Sequence, residues 1–396
     1  MQFKEGKPEL VTRFDSSKSF HGYTLFAPWG TGMVWLVDMQ GRFVHRWKLP
    51  YIPGEYGKLL PNGNLLYAGR VLDGPLTDMG GAGGVLLEAD WDSNIIWKHE
   101  DTYHHHDFCR LDNGNTMYLR WVQVPDDITA GVKGGVPGTE HNGVMWADSF
   151  REISRDGEVV WEWLSYEHLD PEVDIICPLC GRAEWTHGNA CFVMPDGDIL
   201  TTFRHTDWMV IIDRTTGDIK WRWGAGELAH PHDPTLLENG NILVFDNGHH
   251  RRTAHISYSR VVEMNPKTGQ IEWEYMDKTR HNFQSSIVSG CQRLPNGNTL
   301  VCEGHKGRIF EVTPDGETVW EFISPFYYEH PVFGLNNQVF RAYRYAPDYP
   351  GLSGHKLDPG KFEWIPEETG KSAVVRIDRV ADRDKKLADR LSRLGY

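Results

Sequence analysis

The sequence predicts an all-β fold, a six-bladed β-propeller, from three observations. A tetrapeptide centred on Asn-Gly or Asp-Gly recurs five times. A strand that carries a tryptophan recurs six times, at intervals of 47 to 64 residues. The 41 Gly, 22 Pro and 16 Trp among 396 residues indicate many turns and disfavour a helical bundle. We therefore predict a single propeller domain over residues 1–396, with its blades between about 22 and 350.

The tetrapeptide marks the first hairpin of a blade. Asn-Gly or Asp-Gly between apolar runs is the strongest short hairpin signal, and the type I′ turn that it favours needs a positive φ at both residues. The copies are PNGN at 61–64, DNGN at 112–115, PDGD at 195–198, ENGN at 238–241 and PNGN at 295–298.

The tryptophan marks the last strand of each blade. Its neighbours alternate between apolar and polar residues, as in GETVWEF from Gly316, which is typical of a strand. We expect these tryptophans to be core residues, repeated because the blades repeat. They are Trp47, Trp97, Trp161, Trp221, Trp273 and Trp320.

The first module lacks its inner strand. Residues 22–48 supply three strands, whereas the alternating segment QVFRAYRYA at 338–346 has no strands of its own blade after it. We expect 338–346 to lie innermost beside Gly22–Pro28, so that the last strand closes the ring and removes exposed sheet edges. In the C-terminal extension, 351–396, the residues beyond about 372 predict a strand and a charged helix.

Two insertions exceed the repeat, residues 121–148 inside blade 3 and residues 165–186 between blades 3 and 4. Insertions of this length are often lids or binding loops. The second insertion contains Cys177-Pro-Leu-Cys180, a thiolate knuckle of the kind that holds zinc or iron. Two further ligands are needed, and free thiols or a local disulfide remain the alternatives. The candidates for those ligands are His168, Asp174, Cys191 or a residue of the channel mouth.

The turn motifs also place polar residues at one mouth of the central channel. Residues at a constant offset before each turn begin the inner strands, and residues at a constant offset after it end the next strands. The first set is Glu55, His106, Asn189, His232 and Ser289, and the second is Arg70, Trp121, Arg204, Asn247 and Gly304. Both sets face the same rim, because consecutive antiparallel strands run in opposite directions.

Four histidines are therefore our candidates for catalysis at this mouth: His106, His187, His232 and His305. Asp107 and Asp233 follow two of them and would orient imidazoles or cap strand ends. The other histidines near the rim are expected to be structural or surface residues. They are His104, His105, His230, His249 and His250.

The chain resembles the arylsulfotransferase family of β-propellers. The resemblance rests on EWTHGNACFVMPDGDIL, on HPHDPTLLENGNILVFDNGHHRR, on the NGNTL and GRIFEVTPDGETVWEF runs, and on VFRAYRYAPDYP. It extends from about residue 22 to about residue 350.

The resemblance implies transfer of a sulfuryl group from an aryl sulfate through a channel histidine, with other histidines and an arginine binding the sulfate oxygens. By motif, His187 corresponds to the H-x-N histidine, His232 to the H-D histidine, and Arg251 or Arg252 to the arginine after F-D-N-G. His305 is our candidate nucleophile. No cofactor is required for this reaction.

The same chemistry can be argued from the residues, because sulfuryl transfer needs cationic donors, a nucleophile and an acid for the leaving phenolate. We expect the substrate-binding residues to be Arg70, Arg204, Asn189, Asn247, Arg251, Arg252 and Arg341.

Two other classes of function remain open. His106, His187, His232 and His305 could instead hold one zinc or other divalent metal in a lyase, hydrolase or oxygenase. A non-catalytic propeller scaffold is the third alternative.

The composition limits the kinds of partner that we expect for this protein. The net charge of −14 is a poor match for nucleic acid or an anionic membrane. No apolar run is long enough for a transmembrane helix, and no signal peptide is visible. We therefore expect a cytoplasmic protein, or a secreted one if a leader was removed. Trp121, Trp185, Trp208 and Tyr56 near the mouth indicate a small aromatic substrate. A homo-oligomer is compatible with the sequence.

Overall fold

The computed structural model describes residues 3–4, 7–330 and 334–362, with side chains from residue 9 onward. The strand and helix that we predicted beyond residue 372 lie outside the described residues. Within the described residues, no helix is long and apolar enough to cross a membrane.

The prediction of a six-bladed β-propeller is confirmed, since six antiparallel sheets of the same topology follow one another along the chain. From the inner strand outward, blade 1 consists of Val339–Tyr345, Tyr23–Pro28, Met33–Val37 and Phe43–Lys48. Blade 2 consists of Pro53–Leu59, Leu65–Arg70, Gly84–Ala89 and Ile95–Glu100. Blade 3 consists of His104–Arg110, Thr116–Gln123, Trp146–Ile153 and Val159–Leu164. Blade 4 consists of Phe192–Val193, Ile199–Phe203, Trp208–Ile212 and Ile219–Trp223. Blade 5 consists of His232–Leu236, Ile242–Asp246, Arg260–Met264 and Ile271–Tyr275. Blade 6 consists of Gly290–Arg293, Thr299–Glu303, Arg308–Val312 and Thr318–Ile323.

Blades 1 and 6 both contain strands that are distant in sequence. Val339–Tyr345 pairs antiparallel with Tyr23–Pro28 at the inner edge of blade 1. Val11–Phe14 adds a fifth strand to the outer edge of blade 6, where it pairs with Thr318–Ile323. The sequence analysis did not predict this fifth strand, which covers an edge that would otherwise be exposed.

The Asn-Gly turns differ from the type I′ turns that we expected. Only the glycine of each turn has a positive φ, between 82° and 93°, at Gly63, Gly114, Gly197, Gly240 and Gly297. In the first copy, the Gly63 amide donates to the Leu60 carbonyl over 3.0 Å, and the Asn62 side chain accepts from the Asn64 amide. Each turn is therefore the longer hairpin connection in which one left-handed glycine follows an ordinary turn.

The repeated tryptophans are only partly the core residues that we predicted. Trp47 and Trp320 are buried, whereas the other four are half-buried on outer strands. Five of the six indoles donate to a backbone carbonyl of the next blade, at 2.7 to 3.1 Å. For Trp161, the neighbouring Trp163 makes this bond instead, to the Gly217 carbonyl. The repeat therefore reflects hydrogen bonds between blades as well as burial.

The two insertions pair with each other. Gly134–Val136 of the first forms a parallel two-stranded ladder with Ile176–Gly181 of the second. The ends of the predicted first insertion, residues 121–123 and 146–148, belong to strands of blade 3. The remaining short elements are the pairs Phe3–Lys4 with Lys7–Pro8 and Tyr328–His330 with Gly334–Asn336, the helix Asp126–Thr129, and the 3-10 turns Ser165–Glu167, Arg204–Thr206, Arg280–Asn282, Gly304–Lys306 and Pro350–Leu352.

Candidate functional site

The inner strands of four blades have a bulge at the channel mouth. The register shifts between His105 and Phe108 and between His232 and Thr235, and likewise in the inner strands of blades 1 and 2. His106 and Asp233 lie in the bulges with φ values of 50° and 55°, a region that side chains seldom adopt. Bulges re-aim side chains and are frequent beside active sites.

Two of the candidate histidines are in direct contact. The ring centroids of His106 and His187 are 4.6 Å apart, and His187 stacks on His205 at 4.7 Å. The rings of His106 and His232 lie 6.2 and 6.4 Å from the ring of Phe340. The structure thus gathers His106, His187 and His232 around the inner strand of blade 1.

His305 lies in the turn Gly304–Lys306 at the end of the second strand of blade 6. Its Nδ1 is 3.4 Å from the Ser286 hydroxyl, and its ring is half-buried. Among the described residues, no ring contact joins His305 to His106, His187 or His232.

His187 is paired with a carboxylate that the sequence analysis missed. Its Nδ1 lies 2.5 Å from Glu184 Oε2, and the other Glu184 oxygen accepts from the Trp121 indole over 2.6 Å. Burial opposes ionisation of Glu184, but His187 and the neighbouring imidazoles outweigh it and lower its pKa to about 2. Glu184 is therefore ionised near neutral pH and accepts the Nδ1 proton of His187. No sequence spacing marks Glu184, because the turn that joins it to His187 is irregular.

The hydrogen bonds of His232 define its tautomer. Its Nδ1 is 2.7 Å from Asn247 Oδ1 and 3.2 Å from the His230 carbonyl, and both of these oxygens are acceptors. The Asn247 amide nitrogen donates to the Ser285 and Val288 carbonyls, which fixes its oxygen toward the ring. Burial and the charge of Arg204 lower the pKa of His232 well below its usual range. The ring is therefore neutral, and Nε2 carries the lone pair.

Arg204 is a buried cation with little compensation. Its guanidinium donates to the Ser286 carbonyl over 3.3 Å. Throughout residues 9–330 and 334–362, no carboxylate lies within 4 Å of it. Burial lowers the pKa of Arg204. Burial, His187 and the charge of Arg204 together lower the pKa of His205 to about 3. Glu184, Asp207 and the two cysteines of the second insertion act on the charge of Arg204 without an ion pair within 4 Å. A buried guanidinium with no directly bound carboxylate, surrounded by imidazoles, is a favourable site for an anion.

Arg341, which we predicted to bind substrate, is surrounded by groups of the protein itself. Its guanidinium contacts Asp107 at 2.9 Å, Asp233 at 3.1 Å and the Asn189 carbonyl at 2.7 Å. With its side chain 1% exposed, Arg341 is an internal ion-pairing residue. Asp107 and Asp233 pair with it and also accept backbone amides of the following blades, rather than orienting imidazoles.

The two predicted asparagines are likewise committed to the protein. Asn189 donates to the Pro231 carbonyl and accepts from the Thr202 hydroxyl, while Asn247 holds His232 as described above. Both amides are therefore held in place by the protein, and their predicted role in substrate binding stays a prediction.

The remaining arginines differ in accessibility. Arg70 donates to the Thr77 carbonyl at 2.6 Å beside Glu55, whose pKa burial raises to about 8. Arg251 forms an ion pair with Asp246 at 2.6 Å, and Arg252 is exposed. Of the predicted arginines, Arg204 is thus the one best placed to meet a substrate anion among the histidines.

One group of ligand atoms in the described residues is close enough to hold a metal ion, and it is not the channel set. It consists of Cys177, Cys180, His230 and His250, whose ligand atoms all lie within 4.8 Å of one another. The four channel histidines that we considered as a metal site do not form such a group. The contact between the two thiols, with a further contribution from His250, lowers the pKa of Cys177 to about 5.

The other ligands that we considered for the two cysteines lie elsewhere. His168 stacks on Trp163, Asp174 pairs with Arg222, and the Cys191 sulfur lies 3.8 Å from that of Cys109. His230 and His250, which we expected to be structural or surface residues, take their place.

Comparison with known proteins identifies the family. The sequence model of the arylsulfotransferase (ASST) family matches residues 58–325, more than half of the chain. The chain belongs to the arylsulfotransferase family. None of the curated proteins matches the sequence.

Solved structures give weak matches. A protein of unknown function from Bacteroides caccae is 13% identical with a TM-score of 0.49, and the match covers 81% of this chain and 98% of that one. A streptogramin B lyase is 12% identical with a TM-score of 0.43, covering 79% and 86%. A virginiamycin B lyase from Staphylococcus aureus is 11% identical with a TM-score of 0.40, covering 74% and 83%.

Proposed function

We propose that this protein transfers a sulfuryl group from an aryl sulfate to a second phenol through a covalently modified histidine at the channel mouth. Membership of the arylsulfotransferase family supports the reaction class. The observation that carries the site is Arg204, a buried guanidinium with no carboxylate within 4 Å in the described part of the chain. A sulfate ester would supply a directly bound negative charge.

The surroundings of Arg204 supply the other groups that the reaction needs. Ser286 links it to His305, because its carbonyl accepts from Arg204 and its hydroxyl lies 3.4 Å from His305 Nδ1. His205 stacks on His187, whose Nδ1 is held by Glu184. Arg204 is therefore connected to a nucleophile through Ser286 and, through the adjacent His205, to an acid–base pair.

The first half-reaction forms a sulfated histidine. The lone pair of a His305 ring nitrogen attacks sulfur, the N–S bond forms, and the S–O bond to the aryl group breaks. The leaving phenolate keeps the electron pair of that bond and takes the Nε2 proton of His187, which enters this step as the imidazolium and leaves it neutral, with its Nδ1 proton still donated to Glu184. Arg204 stabilises the negative charge on the terminal sulfuryl oxygens, as cations do in phosphoryl transfer.

The second half-reaction reverses these steps with a new phenol. His187 accepts the phenol proton, and the phenol oxygen attacks sulfur while the N–S electron pair returns to His305. Glu184 stabilises the imidazolium that forms on His187, since an ionised carboxylate on Nδ1 favours the charged ring.

We assign the nucleophile to His305 because its ring is half-buried in the turn after the second strand of blade 6 and lies beside Ser286, which also accepts from Arg204. His232 is the competing candidate, because its Nε2 lone pair is fixed by the bonds of Nδ1. His232 is 2% exposed, however, so a phenol could reach sulfur on His305 more easily.

The test is to isolate the intermediate. Untagged protein is mixed with an aryl sulfate without acceptor, quenched, and digested under conditions that preserve N-sulfation, and the modified peptide is mapped by mass spectrometry. We expect one sulfuryl group on His305, ping-pong kinetics with a phenol acceptor, and loss of both in His305→Ala. His281→Ala, at an exposed position, serves as the matched control.

Other results are informative. Sulfation of His232 instead of His305 would support the proposed reaction but identify His232 as the nucleophile. Folded protein that releases no phenol and carries no sulfuryl group with any of several aryl sulfates would refute the proposal.

A further inference from the structure

Two thiols and two imidazoles meet where the second insertion touches blade 5. Cys177 and Cys180 lie on the inserted strand Ile176–Gly181. His230 lies two residues before the inner strand of blade 5, and His250 lies in the loop after that blade's second strand. Three segments distant in sequence thus contribute to one cluster.

The distances within the cluster match those of a tetrahedral metal site. Cys180 Sγ is 3.4 Å from His230 Nε2 and 3.7 Å from His250 Nδ1, and Cys177 Sγ is 3.5 Å from His250 Nδ1. In tetrahedral zinc sites, sulfur and nitrogen ligands at about 2.3 and 2.0 Å from the ion lie about 3.6 Å apart. These three distances are therefore compatible with a single ion bound between the four side chains.

The backbone presents all four ligands to one point. Between the buried cysteines, Pro178 and Leu179 are exposed, so the thiols turn inward while the knuckle turns outward. His230 and His250 both have a left-handed backbone, with φ of 57° and 60°. At His230 this conformation is held by its amide, which donates to the Asp207 carboxylate over 2.8 Å.

We propose that Cys177, Cys180, His230 and His250 bind one zinc ion, and that this ion fastens the second insertion to the mouth of the propeller. Two thiolates and two imidazoles form a closed tetrahedral donor set that zinc prefers, with no position left open for water. The ion is therefore structural. Without it, few bonds in the described residues would join the knuckle to blade 5.

The site lies beside the anion position of the proposed function without depending on it. The ring of His230 is 6.4 Å from that of His205, the neighbour of Arg204 in sequence. The proposal is tested by metal content, so it can fail or succeed whatever the reaction proves to be.

The first experiment measures metal in untagged, full-length protein purified from zinc-supplemented cells. We expect about one zinc per chain by elemental analysis, retained on dialysis and lost in Cys180→Ser and in His250→Ala. The matched controls are Cys191→Ser and His249→Ala, which change a neighbouring thiol and a neighbouring imidazole and should retain zinc.

A second experiment needs no variant, in case the ligand substitutions prevent folding. Wild-type protein is labelled with a thiol reagent before and after treatment with a strong chelator, and the labelled cysteines are mapped. We expect Cys177 and Cys180 to become reactive only after chelation. Hydrogen exchange of 176–181 should then increase, while exchange of the inner strand of blade 2 should not change.

Three outcomes would overturn the proposal. The first is wild-type protein that holds no zinc and takes none up anaerobically. The second is full labelling of Cys177 and Cys180 before chelation. The third is a disulfide between these two residues in protein prepared under reducing conditions.

Discussion

At the scale of single residues, two buried arginines differ in how their charge is compensated. Arg341 meets two carboxylates, Asp107 and Asp233, whereas the bond assigned to Arg204 goes to the neutral Ser286 carbonyl. Burying a guanidinium without a counter-charge costs several kcal/mol. That cost is understandable if Arg204 is kept for binding an anionic substrate.

Replacing Arg204 by Met should therefore separate activity from stability. We expect kcat/KM for an aryl sulfate to fall on the order of 10²-fold or more, because one cationic donor to the sulfuryl oxygens is lost. The thermal midpoint should stay the same or rise, because a buried charge without a directly bound carboxylate is removed. Steady-state kinetics and thermal unfolding measure the two effects.

The conservative variant Arg204→Lys is the control. Lysine keeps the positive charge but lacks the planar set of N–H donors of a guanidinium. The kcat/KM of this variant should therefore lie between those of the wild type and Arg204→Met. A folded Arg204→Met protein with unchanged kcat/KM but a lower thermal midpoint would show that Arg204 contributes to stability rather than to substrate binding.

The sequence located some of these residues but not their partners. The constant offset from the turns predicted the strand starts, and the structure begins two inner strands near His106 and at His232. Glu184 and the role of Asn247 could not be predicted, because each depends on how an irregular segment approaches a neighbouring blade.

At the scale of elements, the loop between the second and third strands of blade 2 positions His106. The His106 amide donates to the Gly81 carbonyl over 2.9 Å. Gly81 has a φ of 83°, and a Cβ there would overlap the His106 imidazole. This glycine is required both by its backbone conformation and by the ring beside it.

Gly81→Ala should therefore displace His106. We expect a loss of stability larger than the roughly 1–2 kcal/mol that a left-handed alanine costs, and a fall in kcat/KM. Gly114→Ala is the matched control, since Gly114 has a φ of 86° with no atom within 4 Å of its Cβ position. Equal losses of stability in urea unfolding, with activity retained by both variants, would contradict the positioning of His106 by Gly81.

The elements themselves were largely predictable, and the misses have physical reasons. Alternation and turn motifs gave the strands of each blade because these depend on local sequence. The pairing of Gly134–Val136 with Ile176–Gly181, and of Val11–Phe14 with blade 6, joins segments far apart along the chain. Short strands of this kind carry little periodic signal.

At the scale of the whole molecule, a buried polar network on the propeller axis connects all six blades. Arg341 of blade 1 binds Asp107 of blade 3, which also accepts the Tyr56 hydroxyl of blade 2. The backbone amides of Cys191 and Cys291 donate to the carboxylates of Asp107 and Asp233, respectively. The Arg341 guanidinium also donates to the Asn189 carbonyl and forms an ion pair with Asp233. The repeat predicted the number of blades, but a network with a different residue from each blade leaves no repeated signal.

Arg341→Met should consequently weaken the whole ring. The substitution leaves Asp107 and Asp233 buried with no opposite charge from Arg341, and breaking one side of a buried ion pair typically costs about 3–5 kcal/mol. We expect the free energy of unfolding in urea to fall by about that amount in one cooperative transition. Arg204→Met, which also removes a buried guanidinium, should show no such loss.

Adding Asp233→Asn to Arg341→Met should recover part of the stability, because one uncompensated charge is then removed, and a double-mutant cycle measures this coupling. If Arg341→Met is as stable as the wild type, or if the two substitutions are strictly additive, the axial network does not stabilise the ring.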